Sequence, residues 1–233
     1  MELDLPSLLL TLEEAISLRL YTGPCFSPIN EFLRETSKQS RRWRVRAARD
    51  ATLTYAATVA HLCSAIRKLA RVTACPARLY RGVRGELPAA FWLRDKFGEV
   101  TALDLALMST STSEAVSASF LGAAGDDEDR AYASNLMWEV HTRGEDGGGY
   151  HAGADVSRLS QFPEEAEILF PPLTMLMVHM KSVATGGAAA SSTTPTSSGD
   201  GSAEERAVRT RVELQTDKGV RRYTKIMVTP TFT

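Results

Sequence analysis

From residue 11 to about 75 the apolar residues recur every three or four positions, whereas beyond Pro76 they fall into short runs bounded by glycine, proline and polar clusters. The first pattern is that of helices buried on one face, the second that of strands. Thr11-Leu12-Glu13-Glu14 has capping-box spacing and predicts a short amphipathic helix through Ile16, Leu18 and Leu20, ended by Gly23-Pro24. A second helix is expected near Ser27-Pro28, with the proline at its first helical position, carrying Ile29, Phe32 and Leu33. The third is the clearest, because Val59, Leu62, Cys63, Ile66, Leu69 and Ala70 share one helical face.

Strands are predicted at 77–81, 104–109, 135–142, 167–170, 173–183, 211–215 and 223–230, with helices around 88–96 and 114–120. A helical front (1–75) followed by a mainly antiparallel β-rich core (76–233) is the pattern of an α+β fold. Residues 184–203, ATGGAAASSTTPTSSGDGSA, bury too little apolar surface to offset the entropy of ordering, so a flexible insertion between two strands is expected there.

Composition narrows the function more than the fold. The 233 residues, 43% hydrophobic and 7% aromatic, suit a soluble globule with a sizeable core, and one domain over the whole chain is expected. A formal charge of −1 speaks against a protein built to hold nucleic acid; the basic run Arg41–Arg46 is a local exception. Cys25, Cys63 and Cys75 are too scattered for a disulfide framework or a zinc site. The acid-broken start MELDLPSLLLTLEE is neither a signal peptide nor a membrane span, so a cytoplasmic monomer is the expectation, as a whole protein or as one domain of a longer one. His61, His141, His151 and His179 show no metal-binding spacing, and no G-x-S-x-G elbow is present. The glycine cluster at 144–149 lacks the helix that a phosphate cradle needs directly after it.

Three stretches remain. Leu79-Tyr80-Arg81-Gly82 sets an arginine at a strand end beside a glycine, suited to forked hydrogen bonds with a phosphate or carboxylate. Met108-Ser109-Thr110-Ser111-Thr112-Ser113 crowds hydroxyls where a strand gives way to a helix; capping by Ser113 or Thr112 accounts for one or two of them. QFPEEAEILFPP (161–172) puts Glu164, Glu165 and Glu167 against an apolar run; if it is extended, Glu165, Glu167 and Leu169 share a face opposite Ala166, Ile168 and Phe170. Each stretch alone also reads as ordinary structure: a surface arginine before a turn, a helix cap, an edge strand with solvated acids.

In that order, however, strand–Arg-Gly, strand–Ser-Thr-Ser and Glu-x-Glu resemble the arginine–serine–glutamate class of mono-ADP-ribosyltransferases, which includes vertebrate arginine-specific enzymes and actin-modifying bacterial toxins. The resemblance runs from about residue 15 to 180: Tyr21-Thr22-Gly23-Pro24, Asn30 and Leu33-Arg34 look like the family's helical segment, and Phe120 stands where the family has an aromatic near nicotinamide. Leu107 departs from the family, which commonly has an aromatic there, and the 184–203 insertion is peculiar to this chain.

The resemblance implies a mixed, mainly antiparallel two-sheet core that binds NAD, with no metal. It assigns the ribose to Glu167, the orientation of Glu167 to Ser109, the pocket floor to Thr110 and Ser111, and the NAD phosphates to Arg81. Gly82 would offer its backbone to the nicotinamide carboxamide, Phe120 would pack near the nicotinamide, and Tyr80 would be among the NAD-binding residues. Glu165 would activate the acceptor, an accessible arginine on a protein, while Glu164 stays solvated and Phe162 meets the incoming surface. Two rival functions keep this fold: hydrolysis of NAD with water as acceptor, and a non-catalytic NAD-binding or interaction module.

Overall fold

In the computed structural model, residues 10–37, 54–123, 127–142, 153–183 and 204–231 are described. The Arg41–Arg46 run, the 144–149 glycines, His151 and the 184–203 segment lie outside them.

The front is helical: α1 (Leu12–Leu20), α2 (Phe26–Ser37) and α3 (Ala56–Leu69). The capping box forms as predicted, with Thr11 accepting from the Glu14 amide and the Glu14 carboxylate accepting from the Thr11 amide. The helical run is broken at Gly23, whose backbone is extended (φ −101°, ψ −160°), so Gly23-Pro24 separates α1 from α2 as predicted, whereas Pro28 falls inside the first turn of α2 rather than at its first position. Glu14 also ties α1 to α3: its buried carboxylate accepts from Ser64 Oγ (2.6 Å) and Lys68 Nζ (2.9 Å).

The strands are β1 (Arg78–Arg84), β2 (Thr101–Asp104), β3 (Met108–Ser111), β4 (Asn135–His141), β5 (Ala154–Asp155), β6 (Glu167–Phe170), β7 (Thr174–Val178), β8 (Met180–Val183), β9 (Glu204–Ala207), β10 (Arg209–Thr216) and β11 (Gly219–Thr231). They make two sheets: one of nine strands in the order β2-β7-β11-β4-β1-β3-β6-β5 with β10 added on β11, and a ribbon of β8 and β9. Among the described residues only the β11–β4 pairing is parallel. Short α4 (Glu114–Ser119) and α5 (Glu128–Ser134) complete the fold.

Several boundaries differ from the sequence pattern. The apolar run 104–109 is two strands, since Leu105-Ala106-Leu107 forms the link and Leu107 is buried among the N-terminal helices. The stretch 173–183 likewise divides into β7 and β8. At 88–96 only a single 3₁₀ turn (Ala89–Trp92) forms, with no buried residue to stabilise a longer helix. Helix α5 and strands β5 and β9 have no apolar period long enough to betray them.

Alternation along β3 and β6 splits the core. Met108, Ile168 and Phe170 join Leu79, Trp138, Val140, Ile226 and Val228 on one side. Leu169, with Leu107, Ala154 and Val156, packs against Leu18, Tyr21, Ile29, Leu62 and Ile66 of the helices. A third cluster, Ala118, Leu121, Met137 and Tyr223, seats α4 on the sheet. The helices therefore form one wall of a cleft whose other wall is the β1–β3–β6 region.

Candidate active site

That cleft encloses about 1020 Å³, at the upper end of the roughly 300–1,000 Å³ usual for ligand sites. Arg81, Ser109, Thr110, Ser111, Glu165 and Glu167 all line it, and so do Tyr80, Gly82 and Phe120. Every residue singled out from the sequence as chemical is thus brought to one cavity.

Strand pairing explains the convergence. β3 lies between β1 and β6, pairing Tyr80 with Ser111 and Ser111 with Glu167, so the arginine, serine and glutamate stretches are neighbours although far apart in sequence. Ser109 and Ser111 share the face of Glu167. The Ser109 side chain lies beside the Glu167 carboxylate and favours its charged form. Thr110, on the other face, donates to the Ile168 carbonyl (2.8 Å) and fastens β3 to β6. Ser111 donates to the Glu165 carbonyl (2.7 Å) and accepts from the Ser113 amide (3.0 Å), while Ser113 caps α4 through the Val116 amide. The crowded hydroxyls therefore have distinct partners.

The two glutamates do not meet by simple strand alternation. Glu165 sits in a 3₁₀ turn (Pro163–Glu165), and Ala166 follows in the left-handed region at φ 46°, ψ 53° before β6 begins. This turn delivers Glu165 to the same cleft as Glu167. Glu167 is 6% exposed, and burial pushes its carboxyl up; the Glu165 charge adds to this, against the Ser109 side chain and the Arg81 charge. Glu165 is half-buried and is also raised, by burial and then by Glu164, against the charge of Lys218. Glu164 is exposed, as expected.

Arg81 is gripped before any ligand arrives. Its Nη1 donates to the Ser109 carbonyl (2.8 Å) and its Nη2 to Asp104 Oδ2 (2.9 Å), and Arg34 Nη2 lies 3.6 Å from the other oxygen of Asp104. Gly82 has a structural reason of its own: a Cβ there would stand 2.6 Å from the Ser117 carbonyl, so glycine lets α4 press onto β1. Ser117 Oγ donates to the Tyr80 carbonyl (2.9 Å) across the same contact. Phe120 and Phe162, 47% and 44% exposed, stand at the mouth.

Sequence reasoning missed Asp104, whose only signal is an acid at the end of an apolar run. It also missed the ties of the Glu165 loop to the helices. Gln161 Nε2 donates to the Arg19 carbonyl (2.6 Å), the Gln161 amide donates to Thr22 Oγ1 (3.1 Å), and Arg19 Nη1 donates to the Ser160 carbonyl (3.2 Å). Among the described residues no cluster of His, Cys, Asp or Glu suits a metal ion, and no helix is long and apolar enough to cross a membrane.

Comparison with solved structures finds the same fold in bacterial enzymes. The Vis toxin of Vibrio splendidus, in its complex with agmatine, is 18% identical with a TM-score of 0.54, over 96% of this chain and 76% of that one. HopU1 of Pseudomonas syringae is 18% identical with a TM-score of 0.54, over 94% and 76%. Exoenzyme S of Pseudomonas aeruginosa, bound to carba-NAD and human 14-3-3 protein beta, is 16% identical with a TM-score of 0.51, over 97% and 76%. Comparison with curated proteins by sequence returns no match. The sequence profile of one family, described as NAD:arginine ADP-ribosyltransferase, covers residues 3–191, and with the fold and the composition of the cleft in agreement, the chain belongs to the NAD:arginine ADP-ribosyltransferase family, whose substrate is NAD.

Proposed function

We propose that the protein transfers ADP-ribose from NAD to arginine side chains of a protein target, releasing nicotinamide, with Glu167, Glu165, Ser109 and Arg81 as its working residues. The observation that carries this reading is the pair of carboxylates in one cleft at different depths, Glu167 buried and Glu165 half-buried.

Breaking the nicotinamide–ribose bond develops positive charge on the sugar carbon, and a carboxylate beneath it stabilises that charge where it appears. Glu167 suits this role because burial in a low-dielectric site strengthens its field and Ser109 fixes its orientation. Glu165 suits the acceptor: a guanidinium is protonated at neutral pH and attacks only after a carboxylate orients it and takes a proton. A base whose carboxyl is raised from the ordinary glutamate range is better matched to that task. The agmatine complex of Vis, a guanidinium compound on the same fold, supports the choice of acceptor.

NAD fits the rest of the cleft. Asn30 donates from Nδ2 to the Tyr21 hydroxyl (3.1 Å), yet its Oδ1 is buried without a partner among the described residues. An orphaned acceptor in the wall suits a ligand that brings hydroxyl or amide donors, as NAD does. Arg81, held by Asp104, turns a fixed cation toward the phosphates, while Tyr80, Gly82, Thr110, Ser111 and Phe120 line the nicotinamide end. The test is incubation with NAD and agmatine. Arginine transfer requires an agmatine–ADP-ribose adduct, and free ADP-ribose as the only product at every agmatine concentration would make the protein an NAD glycohydrolase instead.

A further inference from the structure

Strands β10 and β11 form a hairpin whose register closes at Thr216–Gly219, leaving Asp217 and Lys218 as the turn. Thr216 Oγ1 donates to the Gly219 carbonyl (2.7 Å) and accepts from the Lys218 amide (3.2 Å), and Gly219 supplies the positive φ of +95° that the turn needs. Val212 and Leu214 seat the hairpin on Ala118, Leu121 and Tyr223, beside the helix that ends at Phe120. The tip is therefore held in place by packing and hydrogen bonds. Its lysine reaches the cleft: Lys218 Nζ stands 5.2 Å from the centre of the Phe120 ring. Among the described residues no carboxylate pairs with that ammonium.

The cleft mouth consequently carries both signs of charge. Glu164 and Glu165 stand on the 3₁₀ turn, with Glu167 deeper in the cleft that Arg81 also lines, while Lys218 stands over Phe120. An approaching guanidinium is drawn to the glutamates and repelled by the lysine. A carboxylate carried beside that guanidinium meets repulsion at the glutamates and attraction at Lys218.

We infer that Lys218 is a specificity-determining residue that selects, among arginines, those with a carboxylate next to them. The inference rests on the arginine-transfer reading above. Lys218 lies outside residues 3–191, the segment that matches the family profile. Its charge also acts on Glu165, so its influence reaches the acceptor side of the site.

N-acetyl-arginine and N-acetyl-argininamide test this directly, since they differ by one carboxylate and share the guanidinium. The wild type should favour the acid in kcat/KM by about threefold, as expected for one solvent-exposed ion pair. The preference should shrink as salt is raised from low ionic strength. Lys218→Met should abolish the preference and Lys218→Glu should reverse it, while Lys218→Arg should keep it. Equal use of both acceptors by the wild type, or a preference that survives Lys218→Met, overturns the inference and leaves arginine transfer standing. Consumption of NAD with neither acceptor modified overturns the arginine-transfer reading, and the inference with it.

Discussion

Replacing Glu167 with glutamine preserves volume and one hydrogen-bonding oxygen but removes a charge from a site only 6% exposed. At an effective dielectric constant of about 20 and a separation of about 4 Å, a carboxylate and a full positive charge attract by about 4 kcal/mol, so NAD cleavage should slow by about a thousandfold. Glu165 is half-buried. With a separation of about 8 Å and a dielectric constant of about 40, its contribution to the same charge falls to about 1 kcal/mol, less than tenfold. Glu165→Gln should therefore retain most NAD hydrolysis while losing agmatine modification, because water needs less activation than guanidinium. The assay measures nicotinamide release and agmatine adduct side by side for both variants. Folding should not confound it. Burial raises the Glu167 carboxyl, so the ionised form opposes folding, and stability falls as pH rises from the unfolded toward the folded value; a neutral glutamine removes that penalty. The same shift sets the acid limb of hydrolysis above the range of about 4.3 for a free glutamate. Should Glu165→Gln lose hydrolysis as completely as Glu167→Gln, the division between donor and acceptor is refuted and the two act as one coupled dyad.

Asn30→Ala removes the orphaned Oδ1 and should raise KM for NAD by about tenfold, the size of one lost hydrogen bond of about 1.4 kcal/mol, with a smaller change in kcat; steady-state kinetics of nicotinamide release checks it. For Glu14, burial alone would raise the carboxyl, but hydrogen bonds from Lys68, Ser64 and the Thr11 amide outweigh it and hold it at about 2. Its contribution is thus complete above the unfolded value of about 4.3 and drains away as pH falls toward about 2. Glu14→Gln should cost about 2 kcal/mol and lower Tm by about 6 °C at neutral pH, with the gap to wild type closing in acid, as read by thermal melts across pH. Gly82→Ala forces a Cβ to within 2.6 Å of the Ser117 carbonyl and should cost about 1–3 kcal/mol while weakening NAD use through displacement of α4, measurable as a lower Tm together with a higher KM.

Much of this was legible in the sequence because the strands carry local patterns. The capping box, the face of α3 and the span of β6 follow from spacing that tertiary structure did not override. The convergence of Arg81, Ser109 and Glu167 was legible only through resemblance, since no local rule says that β3 pairs with both β1 and β6. The strand argument for Glu165 gave the right cavity for a wrong reason: the left-handed Ala166 breaks the alternation that was to align the two acids. A left-handed alanine leaves no mark in composition. Lys218 was equally invisible, because it comes near Phe120 through a hairpin 98 residues further along the chain (218 − 120) that carries no motif.

In the proposed reading the N-terminal helices have a role in the chemistry as well as in the core. Four hydrogen bonds run between α1 with the residues just after it and the loop that carries Phe162 and Glu165, made by Arg19, Thr22 and Gln161. Gly23 contributes by omission, since a Cβ there would collide with the Gln161 side chain at 2.1 Å. Phe162 is fixed from the other side, its amide donating to Ser160 Oγ (3.0 Å), and Ser111 holds the Glu165 carbonyl. A loop restrained at both ends keeps its half-exposed glutamate oriented at low entropic cost when an acceptor arrives. The kink at Tyr21–Cys25 serves both substrates in this reading. Tyr21 anchors Asn30 on the NAD side through its hydroxyl, which itself donates to the Leu107 carbonyl (3.3 Å), and Thr22 anchors the acceptor loop one residue later. In this reading donor and acceptor geometry are both fixed by adjacent residues, Tyr21 and Thr22, just ahead of the break at Gly23-Pro24.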